Sequence, residues 1–144
     1  GAYLSQVKIE EGYQATVFST SEPTLATELA ACQRYYWRYL SPNSYATYGT
    51  GVAYSTSGAM FHVSIPVQMR TTPTSIDYLN LGVIFHGINT YAAPTWILNT
   101  GGTHANGVLL QTTGVTGSPL TANQAYHVGG ANSSSAYLGI SAEL

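Results

Sequence analysis

The stretch Ala59–Met69, AMFHVSIPVQM, alternates from end to end. Phe61, Val63, Ile65, Val67 and Met69 fall on one side, and Met60, His62, Ser64, Pro66 and Gln68 on the other. A period of two over this length is the pattern of a strand with one face in a core and the other in water. Pro66 has no N–H to give to a ladder, which predicts an edge or a bulge there. The C-terminal residues repeat the pattern. Leu138, Ile140, Ala142 and Leu144 alternate with Tyr137, Gly139, Ser141 and Glu143, predicting a terminal strand tied into a sheet.

Between and around these two segments the same reading predicts strands at Tyr3–Glu10, Gln33–Leu40, Gly51–Ser57, Ser75–Asn80, Leu81–His86, Pro94–Leu98, Val108–Thr113 and Gln124–Gly129. Turn chemistry separates them at Ser41-Pro42-Asn43, Thr72-Pro73, Asn99-Thr100-Gly101-Gly102, Asn106-Gly107 and Gly129-Gly130. One helical turn is expected where Leu25, Leu29 and Cys32 follow Pro23 at helical spacing. Many short strands at this spacing predict an all-β fold, an antiparallel two-sheet β-sandwich of jelly-roll-like type. The composition breaks at Glu22-Pro23. Residues 1–22 therefore read as an N-terminal arm or strand belonging to a stalk or preceding domain, and 23–144 as one C-terminal β-sandwich domain.

Composition narrows the function. The chain has 144 residues, 44% hydrophobic, enough for one sizeable core. Only 7% are Asp, Glu, Lys or Arg, against roughly a quarter in an ordinary soluble domain. Its polar surface must come from Thr, Ser, Asn, Gln and Tyr, as suits a long-lived, tightly assembled β-protein. A net charge of −2 offers no field to a phosphate backbone, so nucleic acid is disfavoured as a partner. No apolar run approaches the ~20 residues of a membrane-spanning helix, and no signal peptide is legible. Cys32 is the single cysteine; it excludes an internal disulfide and reads as a small buried hydrophobe.

Four segments then carry a resemblance. They are Tyr3–Phe18, YLSQVKIEEGYQATVF; Ala26–Tyr39, ATELAACQRYYWRY; Ile65–Thr74, IPVQMRTTPT; and Tyr137–Leu144, YLGISAEL. This order resembles the C-terminal region of tailed-bacteriophage tail fibre, tailspike and minor structural proteins. There an E-E-G strand leads to TELA-x-CQRYY, then to PV-x-MR-x-TPT, and the chain closes on A-E-L. The likeness spans most of the chain in outline, and Tyr78–Asn132 matches no pattern. It implies a homotrimeric β-sandwich at the distal end of a virion appendage, synthesised in the host cytoplasm. It further implies a part in trimer closure and in recognition of a bacterial surface polysaccharide or outer-membrane receptor, without catalysis in this region.

The residues offer little acid–base machinery. Asp77 is the one Asp, and no G-x-S-x-G elbow accompanies the serines and the histidines His62, His86, His104 and His127. Glu10 and Glu11 are strand neighbours and point to opposite faces, which does not make a glycosidase pair. The histidines lack i, i+2 or i, i+4 spacing, so no metal site and no cofactor is expected. In Gln33–Leu40, Tyr35, Trp37 and Tyr39 are expected to face the core, and Arg34, Tyr36 and Arg38 to face a trimer interface. The candidate glycan contacts are His86, Asn89, Tyr91, Trp96, His104 and Asn106, a set of aromatic, amide and imidazole groups among Gly and Thr. The leading expectation is a non-enzymatic, trimeric, receptor-binding tip domain. The alternatives are a purely structural trimerisation cap, or a carbohydrate-binding module serving an upstream depolymerase.

Overall fold

The computed structural model describes residues 24–85, 89–92, 95–116 and 119–143, with the backbone alone for 89, 90 and 92. The expected arm over 1–22, the strand at Tyr3–Glu10 and the candidate contact His86 lie outside the described residues.

Helix α1, Leu25–Gln33, opens the described chain. Thr24 caps it, its hydroxyl accepting from the Thr27 N–H at 3.3 Å, and Glu28 lies in the first turn where the helix dipole favours an acid. The Leu25, Leu29, Cys32 stripe meets no core: no helix residue is buried, and Leu25 is 81% exposed. The expectation of a buried cysteine is therefore corrected; Cys32 is exposed. Spacing predicted the helix and said nothing of what it would pack against.

Ten strands follow: β1 Tyr36–Leu40, β2 Thr47–Ala53, β3 Ala59–Ser64, β4 Ser75–Leu79, β5 Leu81–Phe85, β6 Asn89–Ala92, β7 Thr95–Leu98, β8 Gly107–Thr113, β9 Ala125–Gly130 and β10 Tyr137–Ser141. They form two sheets. The smaller has the order β1-β10-β4, and the larger β6-β5-β9-β2-β3-β8-β7. All their pairings are antiparallel. The fold is thus all-β; among the described residues it has two antiparallel sheets and one short helix, and the strands divide three to seven between the sheets.

Alternation locates the core. Phe61 and Val63 of β3 pair with Leu110 and Val108 of β8, and all four are fully buried. Leu138 and Ile140 of β10 come from the smaller sheet and join the same cluster, with Trp37, Tyr39, Ile76 and Tyr78 packed against it. The long alternation at Ala59–Met69 is only half a strand. The ladder stops at Ser64, two residues before Pro66; beyond it Ile65 and Met69 stay buried while their N–H groups donate to the carbonyls of Asn106 and Ala105.

Other boundaries move for local reasons. Helix α1 runs through Gln33, so Arg34 caps it and is not part of β1, and Tyr35 is 45% exposed, away from the core expected for it. The strand expected at Gly51–Ser57 is β2, shifted towards the N-terminus. Gly129-Gly130, read as a turn, is the end of β9; a Cβ on Gly129 would stand 2.1 Å from the Ala46 carbonyl oxygen. Asn80 takes φ 49° between β4 and β5, a left-handed conformation that Asn tolerates, and there the chain leaves the smaller sheet for the larger.

Tyrosines tie the layers. The Tyr39 hydroxyl donates to the Ser64 carbonyl at the end of β3, and Tyr48 of β2 donates to the Ala136 carbonyl before β10 at 3.0 Å. Tyr78 of β4 accepts from the Trp96 N–H of β7 at 3.3 Å. Each ring fills apolar space while its oxygen satisfies a backbone group that no ladder reaches. Burial raises the Tyr39 and Tyr48 hydroxyls above the usual phenol range. For Tyr39 the neighbouring Trp37 N–H partly offsets this, and for Tyr48 the Ser41 side chain does.

Candidate functional site

Strand register fixes what each outer face presents, because residues directly opposite one another share a face. On the smaller sheet the rows are Tyr36–Ser141–Ser75, Arg38–Gly139–Asp77 and Leu40–Tyr137–Leu79. Tyr36, Arg38 and Leu40 all point outward, as expected for Tyr36 and Arg38.

At the centre of this face is Gly139. The Tyr36 side chain starts on β1, crosses β10 over the glycine and reaches Asp77 on β4. Its hydroxyl lies 3.0 and 3.2 Å from the two carboxylate oxygens. The crossing requires a glycine beneath it. A Cβ there would stand 2.0 Å from Asp77 Oδ1 and 2.2 Å from the Tyr36 hydroxyl. Burial, then the Asp77 hydrogen bond and charge, raise the Tyr36 phenol, with Arg38 opposing them. Tyr36 therefore stays the donor and Asp77 the acceptor. Arg38 turns the other way and stacks on Tyr137, its guanidinium carbon 3.6 Å from the ring centroid. Its N–H groups have no acceptor among the described residues, so two opposite charges in one row remain apart.

Charge is partitioned among the described residues. The described charged residues are Glu28, Arg34, Arg38, Arg70, Asp77 and Glu143, and none lies on a strand of the larger sheet. No Asp, Glu, Lys or Arg occurs from Tyr39 to Met69 or from Tyr78 to Ala142. The outer face of the larger sheet instead carries the row Ala125–Val52–Met60–Gln111–Ile97 across five strands. Val52 is 45% and Ile97 46% exposed. Beside it runs His127–Thr50–His62–Leu109.

Of the described residues expected to bind a glycan, Trp96 and Tyr91 turn inward, and His104 and Asn106 lie together at the surface. Trp96 is 4% exposed and packs on Phe61 at a centroid distance of 5.7 Å, so it has no free ring face to offer. Tyr91 turns inward from β6 and meets Tyr126 edge-on at 6.1 Å. His104 and Asn106 are exposed in the turn before β8, where the Asn106 N–H donates to His104 Nδ1 at 3.2 Å and the His62 ring lies 6.1 Å away. The side chain of Asn89 and all of His86 lie outside the described residues. Two of the segment's aromatics belong to β6 and β7, whose inward faces the core takes. In the sequence Asp77 stands out only as the one Asp and Gly139 not at all; their link to Tyr36 spans three strands and has no signal in the local pattern.

Among the described residues no three His, Cys, Asp or Glu side chains come together as a metal site, and no helix is long and apolar enough to cross a membrane. No family model matches the chain, and comparison with curated proteins and with solved structures finds no significant match.

Proposed function

We propose that this β-sandwich is a homotrimeric tip domain of a phage tail fibre or tailspike, a non-enzymatic virion module that binds a receptor on the bacterial surface. The partition of charge carries the reading. A face without formal charges can be buried against identical copies with no ion to desolvate, whereas taking Arg38 and Asp77 out of water would be expensive. Copies of the chain therefore pack through the outer face of the larger sheet, around Val52, Met60 and Ile97. This moves the contact away from Arg34, Tyr36 and Arg38, and leaves the smaller sheet facing the host. The resemblance in Thr27–Tyr36 and Pro66–Thr74 supplies the number three and the place at the end of an appendage. Several trimers on one particle then turn weak single contacts into firm adsorption.

Light scattering on the intact chain tests the assembly. A mass three times that of the chain is expected, falling to one chain in a Val52→Glu, Met60→Glu double variant that keeps its β-sheet circular dichroism. A monomer before mutation, or an unchanged trimer after it, overturns this arrangement.

A further inference from the structure

The geometry points to a saccharide site on the outer face of the smaller sheet. A hexopyranose ring would stack on the exposed side of Tyr36, with hydroxyls from opposite edges of the ring on Asp77 and Arg38. This deepens the receptor-binding reading and rests on it.

Three observations converge on this site. First, Tyr36 reaches across to Asp77 with its hydroxyl anchored there above Gly139, and the residue is 37% exposed, so water reaches its side chain. A pyranose presents a patch of C–H groups about the size of such a ring. A stacking partner already fixed in place loses little rotamer freedom on binding. Second, the Asp77 carboxylate accepts from Tyr36 alone among the described residues, leaving lone pairs for sugar hydroxyls. Third, the Arg38 guanidinium, fixed on Tyr137, keeps its N–H edges unengaged at the opposite end of the same row. Donors at one end and acceptors at the other, on backbones about 10 Å apart across two strand spacings, suit hydroxyls at opposite edges of one pyranose ring, each of which can donate or accept. A phosphorylated ligand would meet the Asp77 carboxylate. A second copy would have to bury both charges.

Titration of the intact protein with the methyl glycosides of glucose, galactose, mannose, N-acetylglucosamine and glucuronic acid, followed by NMR or calorimetry, tests the site. Saturable binding of at least one is expected. Tyr36→Ala and Asp77→Asn should each weaken it at least tenfold, the equivalent of about 1.4 kcal/mol. Tyr36→Phe keeps the ring and loses the anchor, so it should weaken binding less than Tyr36→Ala; a role limited to the Tyr36–Asp77 hydrogen bond would make the two equal. Gly139→Ala, whose new methyl group meets only side-chain ends, should part Tyr36 from Asp77 in a folded protein and abolish binding. The site is overturned if no glycoside binds, or if Tyr36→Ala binds as the unmodified chain does. It also fails if Tyr36→Ala changes the mass by light scattering, since the face would then be a contact between copies. Adsorption of the intact trimer to host cells, scored separately, fails only with the receptor-binding reading itself.

Discussion

At the scale of the residue, close approaches of backbone decide where side chains are forbidden. Gly51 sits in β2 opposite Phe61, and a Cβ there would stand 1.8 Å from the Met60 carbonyl oxygen and 2.6 Å from the Phe61 Cα. Backbone cannot swing aside as a side-chain tip can. Gly51→Ala should therefore cost about 3 kcal/mol, read as a lower urea midpoint, whereas Gly139→Ala should cost far less. The tyrosines set a second expectation. The folded hydroxyls of Tyr39 and Tyr48 titrate above the ordinary value of 10.0, so the folded chain holds these protons more tightly than the unfolded one. Their contribution is complete below pH 10 and is lost as pH rises through the higher folded values. Urea midpoints should be level from pH 7 to 9 and fall towards pH 11, with a shallower fall in Tyr39→Phe, Tyr48→Phe. An equal fall in that variant would remove the two tyrosines as the cause.

At the scale of the element, helix α1 and strand β3 are opposites. Both show clear periodicity in the sequence, yet β3 buries Phe61 and Val63 completely while α1 buries nothing. Phe61→Ala should cost about 3–5 kcal/mol, the usual range for emptying a buried aromatic site. Cys32→Ser should change stability by less than about 0.5 kcal/mol. A thiol reagent should label Cys32 fully without denaturant. Slow labelling until the protein unfolds would show that a partner surface covers the helix. Periodicity reports which residues can share a face; it holds no information on whether another element lies opposite.

At the scale of the whole molecule, β10 closes the smaller sheet. It is the middle strand, pairing with β1 on one side and β4 on the other, and its Leu138 and Ile140 enter the core made mostly by the larger sheet. Removing Tyr137–Leu144 would leave β1 and β4 without a shared neighbour and open the core to water on one side. The shortened chain should be recovered only in aggregates; a soluble product with native circular dichroism would mean that the larger sheet folds alone.

Alternation in the sequence determined the all-β class, most strand positions and the inward set Phe61, Val63, Leu138 and Ile140, because burial of one strand face imposes a period of two on any chain that forms it. It also separated Tyr36 and Arg38 from Trp37 and Tyr39. Only the tertiary structure decided that β4 and β5, adjacent in sequence, serve different sheets, and that Trp96 is core. It alone brought Tyr36, Gly139 and Asp77 into one cluster, since strands far apart in the chain meet through hydrogen-bonded neighbours that no local period encodes.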